Sequence, residues 1–218
     1  DEECLKFVYE ENLKVLPSQS VMMAHPGFWA KEEDTSYTII SILADGIVWA
    51  ADHGADVINM SLAVSEDSAT IERAVKYALS KDISVIVAAG NDRHLTNNRN
   101  YLAAIAGVVG VGATDEKNAI TFFSNSGDYV SVAAPGLDII STVPSFLNFN
   151  SYVKMSGTSM AAPAVAGVAA LMKAKYGTQA TPAFIKSRLE QTAVDKGEPG
   201  RDDLFGFGIV NARAALED

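Results

Sequence analysis

The segment Ile83-Ser84-Val85-Ile86-Val87-Ala88-Ala89 constrains the fold more than any other part of the chain. Its nearly unbroken run of apolar, mostly β-branched residues suits a strand buried on both faces. Ser20 to Ala24, Asp56 to Leu62, Val108 to Ala113 and Tyr129 to Ala133 read the same way. Between these runs, apolar residues recur at helical intervals. Ile39, Ile40, Leu43, Ile47 and Ala50 do so within Ser36 to His53, where Asp34, Thr35 or Ser36 can cap the start and Gly54 can end the helix. Ile71, Ala74, Val75, Ala78 and Leu79 do so within Ser68 to Ser80. Further helices are expected over Ser159 to Tyr176, Pro182 to Thr192 and Asn211 to Leu216. Buried strands alternating with helices define an α/β fold: a mostly parallel sheet flanked by helices on both faces. Functional groups in such folds gather at the carboxyl ends of the strands.

The chain's 218 residues, 48% hydrophobic and 20% charged, suffice for one sizeable core and exclude a disordered segment. No change in composition marks a second domain, so residues 1–218 read as a single unit. No apolar run is long enough to span a bilayer, and no signal peptide opens the sequence. A formal net charge of −10 repels phosphate backbones and anionic lipid, which argues against nucleic-acid and membrane partners. The acidic balance suits a secreted enzyme. Cys4 is the sole cysteine, which excludes an intrachain disulfide and leaves it as a small hydrophobe near a chain end. Asp1 to Pro17 carries Leu5, Val8, Tyr9, Leu13 and Leu16 at roughly helical spacing, and His25 to Asp34 reads as a loop.

The chemistry concentrates in Gly157-Thr158-Ser159-Met160-Ala161-Ala162-Pro163. A serine opening an apolar helix lies at the positive end of the helix dipole, among backbone N–H groups that lack intrahelical partners. The small residues around it allow close approach of another backbone. Two roles fit these residues: an N-cap supplied by Thr158 or Ser159, and a nucleophile. The cap explains neither the small residues nor Pro163. Asn91, in Val87-Ala88-Ala89-Gly90-Asn91, reads on its own as a turn after a strand.

The heptad at 157–163, followed by Ala164-Val165-Ala166-Gly167, resembles the nucleophile motif of the subtilisin-like serine proteases, the subtilases. Further blocks follow in that family's order: Asp56 to Leu62, Val87 to Asn91, Val132-Ala133-Ala134-Pro135-Gly136, and Phe205 to Ala212. The resemblance covers about Val21 to Leu216 and implies a three-layer catalytic domain represented by its C-terminal portion. It implies that Ser159 attacks the scissile carbonyl to give an acyl-enzyme. Asn91 and the Ser159 N–H would then hold the oxyanion. Ser61, Leu62 and Ala63 would pair with an extended polypeptide substrate, and Ala88, Ala89 and Gly90 would form one wall of the pocket for the residue before the cut.

The family also supplies an Asp after its first strand and a His opening a helix. Neither block is recognisable in this sequence, and the family's His would fall at or before Asp1. His25, His53 and His94 read as loop or helix-end residues. Without the Asp-bearing strand, the resemblance implies a sheet with two unpaired interior edges. A longer chain, an N-terminal fragment or partner supplying Asp and His, or a rebuilt segment 1–17 would resolve this. Three residues depart from the family pattern: Ala63 for Gly, Ala164 for His and Leu102 for Pro. The expected activity is serine endopeptidase, absent in the isolated chain; the alternative is an inactive peptide-binding or scaffold protein. The chemistry requires no cofactor. Structural calcium is a frequent family companion, but Asp115, Glu116 and Asp128 form no ligand pattern, and no metal-binding residues are assigned.

Overall fold

The structure is a computed structural model that describes residues 20–22, 35–143 and 152–217. The helical spacing within residues 1–17 and the loop around His25 lie outside the described residues. Five strands form one parallel sheet in the order β1-β2-β3-β4-β5: β1 (Ser20–Met22), β2 (Val57–Met60), β3 (Ser84–Ala88), β4 (Val109–Thr114) and β5 (Val130–Pro135). β2, β3 and β4 are buried at every position, the pattern required when helices cover both faces. Alternate side chains pack to opposite faces. Ile58, Met60, Val85 and Val87 meet α1 (Thr35–Asp52) and α2 (Ala69–Ser80) on one side. Val57, Ile86, Ala88, Val109 and Val111 meet α3 (Thr158–Tyr176), α4 (Pro182–Gln191) and α5 (Ala212–Leu216) on the other.

Helix starts follow local chemistry. Ser68 Oγ accepts the Ile71 N–H, Thr181 Oγ1 the Phe184 N–H ahead of Pro182 at the first helical position, and Asn211 Oδ1 the Ala214 N–H. Ser68 therefore caps α2 instead of belonging to it, and Asn211 likewise caps α5. The register between β4 and β5 shifts at Gly110/Val111. A Cβ at Gly110 would lie 2.2 Å from the Tyr129 carbonyl oxygen, so only glycine lets the strands close there.

Two expectations require correction. The sheet shows no interior gap among the described strands, because β1 pairs directly with β2, Ser20 to Val57 and Met22 to Asn59. Backbone pairing at that edge is thus satisfied without another strand. An antiparallel pair, β6 (Ile139–Thr142) and β7 (Tyr152–Met155), was also not expected. Its residues are mostly exposed, so it has no buried face to impose an alternating pattern.

Candidate active site

The carboxyl ends of β2 and β3 converge on the N-terminus of α3. Gly157 is the N-cap of α3 and contributes no side-chain bond, so neither Thr158 nor Ser159 caps the helix. The capping acceptor comes from another part of the chain. Asn91 Oδ1 accepts the Thr158 N–H at 2.8 Å and the Thr158 hydroxyl at 2.9 Å. Thr158 Oγ1 in turn accepts the Gly90 N–H at 3.1 Å, and Thr158 is fully buried. With its carbonyl end held this way, the Asn91 amide has its NH2 beside Gly157. A methyl placed on Gly157 would lie 3.3 Å from Asn91 Nδ2 and 3.6 Å from the Ser159 nitrogen. Asn91 Oδ1 lies at the same 3.6 Å, so the whole Asn91 amide borders the opening of α3 next to the Ser159 nitrogen. The Ser159 N–H makes no backbone hydrogen bond within the described residues, as expected in a first helical turn.

Ser159 is half-buried, with its hydroxyl close to β2. Ser159 Oγ donates to the Ser61 carbonyl at 3.2 Å, and Ser61 Oγ donates to the Ser159 carbonyl at 2.8 Å. Pro163 explains the second bond. The Ser159 carbonyl would normally receive the N–H four residues on, but proline has none. Ser61 provides the missing donor and is itself held by Asn59 Nδ2 at 3.1 Å. Asn59 is buried, and its Oδ1 has no partner among the described residues.

The segment after Ser61 is tied along one edge by Asn100, which is 1% exposed. Asn100 Nδ2 donates to the carbonyls of Leu62 at 3.1 Å and Ala88 at 2.7 Å, while its Oδ1 accepts the N–H groups of Val64 at 3.0 Å and Leu102 at 3.1 Å. The backbone polar groups of Leu62 and Val64 are thus committed inward. In extended chain the neighbouring residue faces the other way, which leaves exposed Ala63 facing outward. Leu102 donates a bond that the proline usual at that position could not make. Ala88, Ala89 and Gly90 are all buried at the carboxyl end of β3, beside the site.

His53 and His94 do not join this cluster. His53 stacks on Trp49 with ring centroids 4.0 Å apart, and its Nδ1 lies 2.7 Å from the Trp49 carbonyl. His94 packs edge-on against Phe122. Among the described residues no histidine bonds Ser159 Oγ. Asp115 closes its own turn through the N–H groups of Lys117 and Ala119, and Asp128 pairs with Arg99 at 2.5 Å. No group of three or more His, Cys, Asp or Glu residues suited to a metal occurs among the described residues. No described helix is long and apolar enough to cross a membrane.

A serine in the first turn of a helix, beside an asparagine amide at the carboxyl edge of a parallel sheet, places the candidate site where open α/β folds gather their functional groups. The family can be stated more narrowly. The sequence model of the subtilase family matches residues 14–208, and the chain belongs to that family. It is 42% identical over 176 residues to alkaline elastase YaB from Bacillus sp. strain YaB, covering 81% of this chain and 44% of that protein. Subtilisin BL from Lederbergia lenta is 39% identical over 176 residues, covering 81% of this chain and 62% of its own. Fervidolysin from Fervidobacterium pennivorans, described as a keratinolytic enzyme related to subtilisin, superposes with a TM-score of 0.76 at 37% identity. That match covers 82% of this chain and 29% of fervidolysin. The chain spans about half the length of the curated relatives it matches.

Thr158, Asn100 and Asn59 are parts of the candidate site that reading the sequence does not assign. Thr158 and Asn100 act through partners distant in the chain, so local sequence carries no sign of their roles.

Proposed function

We propose that the chain is the nucleophile-bearing part of a serine endopeptidase, acting on polypeptides through an acyl-enzyme at Ser159. The carrying observation is the Asn91 side-chain amide, bonded to the first turn of α3 and bordering its opening beside the half-buried Ser159. Ser159 Oγ attacks the scissile carbonyl carbon, and its proton passes to a base. The carbonyl π electrons move onto oxygen, which Asn91 Nδ2 and the Ser159 N–H stabilise. Collapse of the tetrahedral centre expels the amine, which takes the proton from the base. Water then releases the acyl group.

The base and its orienting carboxylate are an imidazole and an Asp that we assign to a part of the protein outside residues 1–218. The isolated chain is therefore inactive. We further propose a secreted enzyme whose catalytic domain includes residues 1–218. Substrate pairs with the outward edge at Ser61 and Ala63; Leu62 contributes its side chain only, because Asn100 holds its carbonyl. Ala88, Ala89 and Gly90 support the wall behind the residue before the cut. The reaction needs no metal; structural calcium, which the family resemblance suggests, would serve the fold.

A second reading, an inactive peptide-binding or scaffold protein, draws support from the Ser159 hydroxyl donating to the Ser61 backbone carbonyl. Exposure of the intact native protein to a fluorophosphonate at neutral pH separates the two. Stoichiometric labelling of Ser159, abolished by Ser159→Ala, supports the protease. An unlabelled Ser159 leaves the binding protein.

A further inference from the structure

The two donors can cooperate only if the backbone at Asn91 is held still, and one buried residue touches both peptide groups that flank it. The Asn125 N–H donates to the Gly90 carbonyl at 2.9 Å, on the peptide unit preceding Asn91. Asn125 Oδ1 accepts the Asp92 N–H at 2.8 Å, on the peptide unit following it. Each peptide unit is planar, so fixing both fixes the two soft dihedrals between them, those of Asn91 itself. Asn125 is 2% exposed, and its Nδ2 donates to the Asn98 carbonyl at 2.9 Å, which fixes the rotamer. It also fills the space beside Gly90: a Cβ there would lie 2.3 Å from Asn125 Nδ2. The neighbouring chain is anchored too, since the Arg93 N–H donates to the Phe123 carbonyl at 3.1 Å and Ser124 Oγ accepts the Ala113 N–H at 2.9 Å.

We propose that Asn125 is a positioning residue for the oxyanion donor: it sets the backbone of Asn91 while Thr158 sets the side chain. The proposal rests on the acyl-transfer reading above and adds to it a residue that never touches substrate. A residue that only stabilised the fold would change the amount of competent protein, not the reactivity of each competent site.

The test uses Asn125→Ala and Asn125→Asp in the intact native protein, with saturation kinetics of fluorophosphonate labelling at Ser159. Asn125→Ala is expected to lower the limiting labelling rate at least tenfold, with the half-saturating concentration within twofold of the parent. Asn125→Asp keeps the acceptor for Asp92 and is expected to fall between them. A limiting rate equal to the parent's in folded Asn125→Ala overturns the proposal. Nuclear Overhauser contacts between the Asn91 side-chain amide and Gly157 Hα give a readout that requires no reaction. They are expected in the parent and lost in Asn125→Ala, and their persistence in the variant also overturns the proposal. A parent protein that does not label removes the acyl-transfer reading itself, and the amide contacts then decide whether Asn125 places Asn91.

Discussion

Ser61 and Ser159 exchange hydrogen bonds, each hydroxyl donating to the other's backbone carbonyl at 2.8 and 3.2 Å. This reciprocal pair joins the carboxyl end of β2 to the first turn of α3. It exists because Pro163 leaves the Ser159 carbonyl without its intrahelical donor.

Ser61→Ala should therefore cost more than an ordinary surface hydroxyl. It removes the donor to the Ser159 carbonyl, an effect of about 0.5–1.5 kcal/mol. In a Pro163→Ala background the helix supplies its own N–H, and the cost of Ser61→Ala should shrink. Chemical denaturation of the two single variants and the double variant measures the coupling. Strictly additive effects would contradict this account of Pro163.

Asn91→Ala should remove one oxyanion donor while sparing the serine. On subtilisin itself, loss of such a donor lowers the rate by about 10²–10³-fold. Labelling of Ser159 in the intact protein should fall by a similar factor. Stability should also drop, because Asn91 Oδ1 caps the Thr158 N–H in place of a capping side chain at Gly157. Equal labelling rates in variant and parent would exclude Asn91 from the site.

Gly90→Ala should be more damaging than its single methyl suggests. Gly90 has φ of +115°, a conformation that side-chain-bearing residues rarely adopt, and the new Cβ would collide with Asn125. Backbone strain alone costs about 1–3 kcal/mol. Thermal unfolding measures this, and a melting temperature matching the parent's would show that the turn relaxes freely.

Asp92 makes the turn after Asn91 sensitive to acid. Burial pushes its carboxyl pKa up, but hydrogen bonds from Thr96, Asn125 and the Asn98 N–H outweigh this and hold it below the ordinary carboxylate value. A group whose folded pKa is depressed contributes stability above its unfolded pKa, about 3.9, and loses it as pH falls through the folded value. Asp92→Asn should therefore lower the melting temperature near neutral pH, and the gap to the parent should close below about pH 4. A gap that stays constant into acid would remove the carboxylate from the account.

The fold was legible because its strands are buried on both faces. Val85, Ile86 and Val87 can hardly serve any other structure, and the helical spacing of Ile71, Ala74, Val75 and Ala78 matches the buried face of α2. Ser159 and Asn91 were legible only as motifs: each has an ordinary local role, as a cap or a turn, until the two are brought together. Pro163 was visible as an anomaly, but Ser61, the donor that serves the Ser159 carbonyl, lies 98 residues from Ser159. Asn100 and Asn125 were silent, because an asparagine that bridges distant backbones looks like any loop asparagine. The direct pairing of β1 with β2 could not be foreseen either, since Ser20 to Met22 is too short to declare its neighbour.

The most direct measurement is a crystal structure of the intact protein after reaction with a fluorophosphonate. The account predicts phosphorus bonded to Ser159 Oγ, with its free oxygen within hydrogen-bonding distance of both Asn91 Nδ2 and the Ser159 nitrogen. A phosphonyl oxygen directed into solvent, or a label on another residue, would contradict it.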